Sequence, residues 1–104
     1  MWIAHSEGWL SIVAHRDRPD DLLVRARDLR HIKTMFPDAE VYKPKVSDYQ
    51  FHAVISRTVV AQVLAEQLGS IRYDKFKPSV REPRLAKAFY RIWELMDQYG
   101  LGFI

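Results

Sequence analysis

The chain of 104 residues is poor in the residues that cross-link, break or divide a fold, with no cysteine, four glycines and five prolines. Without cysteine it can form no disulfide, no thiolate zinc site and no cysteine nucleophile. The few glycines and prolines are too scattered to mark a linker or a domain boundary, and no internal repeat is visible. We therefore predict a single domain spanning residues 1–104, at a common size for an independently folding unit.

Long hydrophobic runs are also missing. The longest uncharged apolar stretch falls well short of the roughly 18 residues that a membrane span needs, and the first residues of the chain lack the basic leader of a secretory signal. We expect no membrane partner and a cytoplasmic location. Apolar residues make up 48% of the chain and charged residues 28%, a composition that excludes disorder and is typical of a globular domain.

The sequence lacks the residue patterns that are typical of catalytic and metal sites. No two histidines stand at the helical spacing of a zinc site, and no serine lies in the Gly-x-Ser-x-Gly turn of a hydrolase. The acidic loop at residues 17–21 lacks the spacing of a calcium-binding loop. The four histidines are His5, His15, His31 and His52. We predict no enzyme, no catalytic residue, no metal site and no cofactor.

Apolar periodicity predicts five strands and three helices in the order β-β-β-α-β-β-α-α. The strands are expected at Met1–Ser6, Trp9–His15, Leu22–Ala26, Ala39–Lys43 and Tyr49–Ile55. The helices are expected from the Asp28 cap to Phe36, from Arg57 to Leu68, and from Pro83 to Gly100. This order predicts an α+β fold with a mainly antiparallel five-stranded sheet and three helices, ferredoxin-like or a similar two-layer sandwich.

The first two strands are predicted to form a hairpin. Glu7-Gly8 is expected to be its two-residue turn, so that the numbers of facing residues sum to 15. Because side chains alternate across a strand, Trp2, Trp9 and Val13 share one face. If the helices pack on the other face, these residues form an exposed apolar patch of the kind that marks a partner site. In the alternative, the last helix covers them.

A second feature is a basic segment near the end of the chain. Residues 71–91 hold seven basic side chains against two acidic ones, although the net charge of the whole chain is only +3. The seven are Arg72, Lys75, Lys77, Arg81, Arg84, Lys87 and Arg91. Tyr73 and Phe76 are interleaved with them, a pattern found where nucleic acid is bound. A solvated helix face, or a surface for an acidic protein, explains the same charges.

Four segments resemble a group of short bacterial and phage proteins that has no assigned activity. The segments are Met1–Ile3, Gly8–Val13, Leu23–Leu29 and Ile71–Lys77. In that group a Met-Trp start precedes a Gly-aromatic-x-Ser-Val-Val stretch, followed by Val-Arg-Ala-Arg and Ile-x-Tyr-Asp-x-Phe-Lys. The resemblance implies one intact domain and no catalysis. It also draws attention to Arg25, Arg27, Tyr73, Asp74 and Lys77 as surface residues.

Three functional hypotheses follow, of which the third, a small enzyme, would need a pocket with convergent polar groups. The first is a non-enzymatic module that binds a protein partner, as a small bacterial or phage regulator or inhibitor of the anti-defence kind. Its expected contact residues are Trp2, Trp9, Val13, Arg25 and Arg27. The alternative is a nucleic-acid-binding protein that uses the basic segment. Homodimerisation through the Trp2 face is a further option.

Overall fold

A computed structural model describes all residues from 1 to 104, and it contains one four-stranded antiparallel sheet and four helices. The strands are β1 (Trp2–His5), β2 (Gly8–Ala14), β3 (Asp21–Ala26) and β4 (Phe51–Ser56). The helices are α1 (Leu29–Met35), α2 (Arg57–Gly69), α3 (Phe76–Ser79) and α4 (Pro83–Gly100). The strands lie side by side in chain order, so the sheet is a simple meander.

The main core lies between one face of the sheet and helices α1 and α2. Strand alternation sends every second side chain of the sheet toward these helices, which contribute Ile32, Met35 and Val60. The strand residues that complete this core are Leu10, Ile12, Val24, Ala26 and Ala53. A second, smaller cluster joins Val80, Leu85 and Phe89 and packs against Trp9 and Phe76. Helix α4 is thus held against α3 and the opposite face of the sheet.

The three longer helices begin where the sequence predicts, although the Glu82 cap of α4 was not predicted. The Asp28 carboxylate accepts the Arg30 backbone N–H at 2.9 Å, and the Ser56 hydroxyl accepts the Val59 backbone N–H at 3.2 Å. Each cap satisfies a first-turn amide that has no partner within the helix. Pro83 occupies the first turn of α4, as expected from its fixed φ. Local capping chemistry therefore located these helix starts correctly.

The α+β class is confirmed, but the predicted count of five strands and three helices is wrong. The segment predicted as a strand at residues 39–43 forms only one isolated bridge, between Tyr42 and His52. On one side of that bridge Ala39 is tied to the end of α1, because its N–H donates to the Phe36 carbonyl at 3.1 Å. On the other side Pro44 has no N–H to continue a ladder.

The extra helix and the strand order also overturn the ferredoxin-like expectation. Residues 76–79, predicted as a connection, form the short helix α3. A ferredoxin-like sheet is built from βαβ units, whose two strands run parallel. Here the chain leaves β3 through α1 and returns beside β3 in the antiparallel direction, so no such unit is present.

The hairpin register differs from the prediction by two residues. Trp2 faces Ser11 and Ala4 faces Trp9, so the numbers of facing residues sum to 13, and Ser6-Glu7 forms the turn. Gly8 lies in β2 and is buried beneath α1, where an added Cβ would come within 2.9 Å of the His31 Cβ. Gly8 is therefore needed for helix packing and not for the turn. Because the shift is even, the predicted division of side chains between the two faces is confirmed.

None of the four helices combines the length and the apolar character that crossing a bilayer requires.

Candidate functional site

Two indoles mark the sheet face that α1 and α2 leave free. Trp2 and Trp9 point to this face from neighbouring strands, with ring centroids 5.5 Å apart. The centroid of the Trp9 ring also lies 6.0 Å from that of Phe89 in α4. Trp9 is therefore half-buried, whereas Trp2 remains 71% exposed. Both alternatives raised by the sequence apply in part, since α4 covers one indole and leaves the other in solvent.

Between this face and the first half of α4 runs a groove with a volume of about 500 Å³. Its apolar lining consists of Trp2, Trp9, Leu85, Ala88, Phe89 and Ile92, together with the ring of Tyr49. Its polar lining consists of Arg27, Asp28, Arg30, His31, Glu82 and Arg84. The volume and the mixture of apolar walls with a few polar groups are those of a binding cleft.

The groove lining carries a small net positive charge, since it contains three arginines and two carboxylates. The Asp28 carboxylate is paired with Arg30 at 2.7 Å, and the Glu82 carboxylate caps the start of α4 by accepting the Leu85 backbone N–H. The two salt bridges of the molecule are Arg30–Asp28 and Arg18–Asp21. Arg27 and Arg84 take part in neither, so their charges remain available to a ligand.

The pKa of the Tyr49 hydroxyl is lowered by a hydrogen bond and by two nearby arginines. Burial alone would raise the pKa of the Tyr49 hydroxyl, but a hydrogen bond with Ser11 and the nearby charges of Arg27 and Arg25 outweigh it and lower that pKa. Nearby cations favour the charged form of an acidic group in this way. A negatively charged group that enters the groove would meet the same favourable field.

Asp28, one of the two carboxylates in the groove lining, forms a local and partly exposed ion pair with Arg30. The side-chain hydrogen bond from Arg30 is the main cause that lowers the pKa of Asp28 to about 2. The Arg30 guanidinium reaches both carboxylate oxygens, at 3.1 and 2.7 Å. Asp28 is thus ionised at neutral pH and is already neutralised by its neighbour.

His31 joins α1 to the strand that carries Trp9. The Trp9 backbone N–H donates to His31 Nδ1 at 3.2 Å, which leaves Nε2 as the nitrogen that carries the proton in the neutral ring. The close approach of His31 to Gly8 brings the ring to the edge of the groove. The imidazole therefore adds one hydrogen-bond donor to the lining.

Two of the predicted contact residues lie away from the groove lining. Val13 is half-buried in β2, opposite Leu23. The Arg25 guanidinium donates to the Ser11 hydroxyl at 2.7 Å and lies 4.7 Å from the centre of the Tyr49 ring. The structure therefore brings together Trp2, Trp9 and Arg27 of the predicted set, and adds Arg84 from the basic segment.

The seven cations of the basic segment form no ion pair, but they do not all meet at one place. Arg72, Arg81 and Arg84 line three different cavities. The Lys77 ammonium lies 3.6 Å from the centre of the Trp93 ring. The cations of the basic segment are therefore spread over several surfaces, and Arg84 is the one that lines the groove.

Sequence reasoning missed Tyr49, His31 and Ile92 as groove residues. Alternation predicts Tyr49 within a strand, but it lies just before β4, where the Arg27 guanidinium is 4.2 Å from the centre of its ring. Ile92 follows Phe89 by three positions on α4, a spacing that marks one helix face. That spacing was the available signal. No comparable pattern singled out His31.

No three histidine, aspartate or glutamate side chains converge in a way that could hold a metal ion. Comparisons with known protein families, curated proteins and solved structures give no significant match for this chain.

Proposed function

We propose that this protein is a non-enzymatic module that binds a protein partner through the groove beside Trp2. The observation that carries the proposal is the groove itself, in which exposed aromatic surface adjoins two arginines that have no ion pair. Such a site suits a partner segment with an apolar side chain next to a carboxylate. A role as a regulator or inhibitor in the bacterial cytoplasm is part of the proposal.

Trp2 provides the apolar part of the binding energy. The indole is 71% exposed in the free chain, and a tryptophan buries about 150–250 Å² when it is covered. Covering the exposed fraction is worth about 3–4 kcal/mol at 25 cal/mol per Å². Tryptophan is also enriched among the residues that dominate binding energies.

Arg27 and Arg84 provide the charged part. Arg27 directly follows the end of β3 and Arg84 lies in the first turn of α4, so the two cations approach the groove from different walls. An arginine fork binds a carboxylate with two parallel hydrogen bonds. Charges at such a rim favour an acidic partner and speed its association.

The test is capture of partners from bacterial lysate, with nuclease treatment and mass spectrometry. Trp2→Ala and Arg27→Ala should each weaken binding of the captured partner by roughly tenfold or more, since a central contact is worth about 1.4 kcal/mol or more. Arg16→Ala is the matched control, because Arg16 is exposed in a loop and is not part of the groove lining. A partner that binds the two groove variants as well as it binds the control would contradict the proposal.

Nucleic acid is the second candidate, and one observation favours it. The Tyr90 and Trp93 rings lie 5.7 Å apart on α4, both are about half-exposed, and the Lys77 ammonium lies over Trp93. Exposed rings next to free cations are the elements of a stacking platform. An electrophoretic shift with single-stranded DNA at about 50 mM salt should then be lost in Tyr90→Ala. Absence of any shift at that salt concentration excludes this candidate.

A further inference from the structure

Helix α4 carries an apolar stripe, and nothing in the chain covers the second half of that stripe. Leu85, Phe89, Ile92, Met96 and Tyr99 follow one another at alternating spacings of four and three, which is the spacing of paired helices. The first two are buried against the chain's own second cluster. Met96 is 58% exposed and Tyr99 is 64% exposed.

The exposure continues to the last residue. Every residue from Trp93 to Ile104 is exposed, and the large apolar ones among them are Trp93, Leu95, Met96, Tyr99, Leu101, Phe103 and Ile104. Glu94 points away from the stripe by helical geometry, since it lies two residues from both Ile92 and Met96. The stripe therefore has the width and the apolar character of a buried helix face.

The dimensions of the whole molecule also indicate more exposed surface than a compact monomer has. The chain exposes 7844 Å², whereas a compact monomer of this mass exposes about 6,100 Å². Its radius of gyration is 14.8 Å, against about 13 Å for a compact domain of this length. The excess of roughly 1,700 Å² is more than the about 800 Å² that each subunit buries in an interface of standard size, and it lies within the range of permanent dimers.

We propose that a second copy of this chain covers the stripe, with the distal halves of the two α4 helices paired antiparallel. A helix with four-three spacing pairs best with another of the same spacing, and the chain itself supplies one. The antiparallel direction follows because the first half of each α4 is packed against its own sheet. Antiparallel overlap keeps the two sheets at opposite ends, whereas parallel overlap would bring them together.

The pairing makes a specific contact. A two-fold axis midway along the free part of the stripe sets Met96 of one copy against Tyr99 of the other, and the same contact occurs twice. A methionine sulfur against an aromatic ring is a favourable pair. This interface is separate from Trp2 and Arg27, so it does not depend on the proposed function.

The test is the mass of the 104-residue chain by light scattering and sedimentation equilibrium. The wild type should have about twice the 12.3 kDa of one chain. Met96→Glu and Tyr99→Lys should each weaken the dimer at least about 100-fold, because each change is present twice in the interface. Both residues are exposed in the single chain, so circular dichroism should be unchanged. Gln98→Glu, off the stripe on the same helix, should remain dimeric.

Mixing the two variants tests the direction. In an antiparallel pair, Met96→Glu of one chain meets Tyr99→Lys of the other, so an equal mixture should recover a dimer of mixed composition. A parallel pair brings no such charges together. A monomeric wild type, dimeric variants, or a mixture that stays monomeric would each overturn the proposal.

Discussion

Gly8→Ala is the change that tests most directly how α1 is seated on the sheet. The new Cβ would lie 2.9 Å from both the Cβ and the Cγ of His31, and 3.1 Å from its Cα. These atoms belong to the backbone or lie next to it, so they cannot swing away as the tip of a long side chain would. Helix α1 must therefore move away from β2, and the packing around buried Ile32 must loosen.

The expected cost can be worked out from this geometry. Overpacking of a well-packed core costs about 1–3 kcal/mol. Replacing glycine by alanine within a strand returns about 0.5–1 kcal/mol. The difference spans about 0–2.5 kcal/mol. Because the clashing atoms cannot swing away, we expect a net loss of about 1–2 kcal/mol, which lowers the melting temperature of a domain of this size by roughly 5–15 °C.

Urea unfolding followed by circular dichroism measures this loss. Gly69→Ala is the matched control, because nothing lies within 4 Å of a Cβ placed there at the end of α2. It should leave stability unchanged or raise it by up to about 1 kcal/mol. If Gly8→Ala is as stable as Gly69→Ala, α1 does not lie against β2 at this distance and the packing explanation for Gly8 is wrong.

Four further substitutions test the groove and the sheet beside it. Trp9→Ala should lower the free energy of unfolding in urea by about 2–3 kcal/mol because Trp9 packs on Phe89. Trp2→Ala should lower it by under about 1 kcal/mol. Equal losses would argue against a face that α4 covers only in part. The lowered pKa of Asp28 stabilises the fold above about pH 4, and this stabilisation is lost as the pH falls toward the folded value of about 2. Asp28→Asn should therefore lose less stability than the wild type between about pH 4 and pH 2. The same loss in both proteins would contradict the pairing with Arg30. Burial lowers the pKa of His52, so the free energy of unfolding should decline as the pH falls below about 6.5. His52→Gln should flatten that decline. If the variant and the wild type lose stability with the same slope, the neutral ring is not buried.

The hairpin shows how far local pattern reaches. Alternation assigned Trp2 and Trp9 to one face correctly, because a strand has a period of two and an even slip preserves its faces. The predicted register was wrong because it placed Gly8 in the turn, whereas a glycine is needed there by the approach of His31 from a helix that is distant in the sequence. No local pattern contains that contact.

The predicted fifth strand also failed because of contacts outside the segment itself. Residues 39–43 have the composition of a strand, yet the ends of the segment are held by α1 and by Pro44, so a single bridge at Tyr42 remains. The groove was likewise predictable in part. Trp2, Trp9, Arg27 and Arg84 were named from the sequence, but the two arginines come to different walls of one groove only when α4 packs on Trp9.

Local sequence was enough to predict the α+β class, the starts of the longer helices and the two faces of the hairpin, because each depends on neighbours within a few positions. Only the folded chain reveals the strand count, the register at Gly8 and the division of α4 into a covered and an uncovered half. Those features depend on contacts between distant segments, whose geometry is set by packing and not by local periodicity.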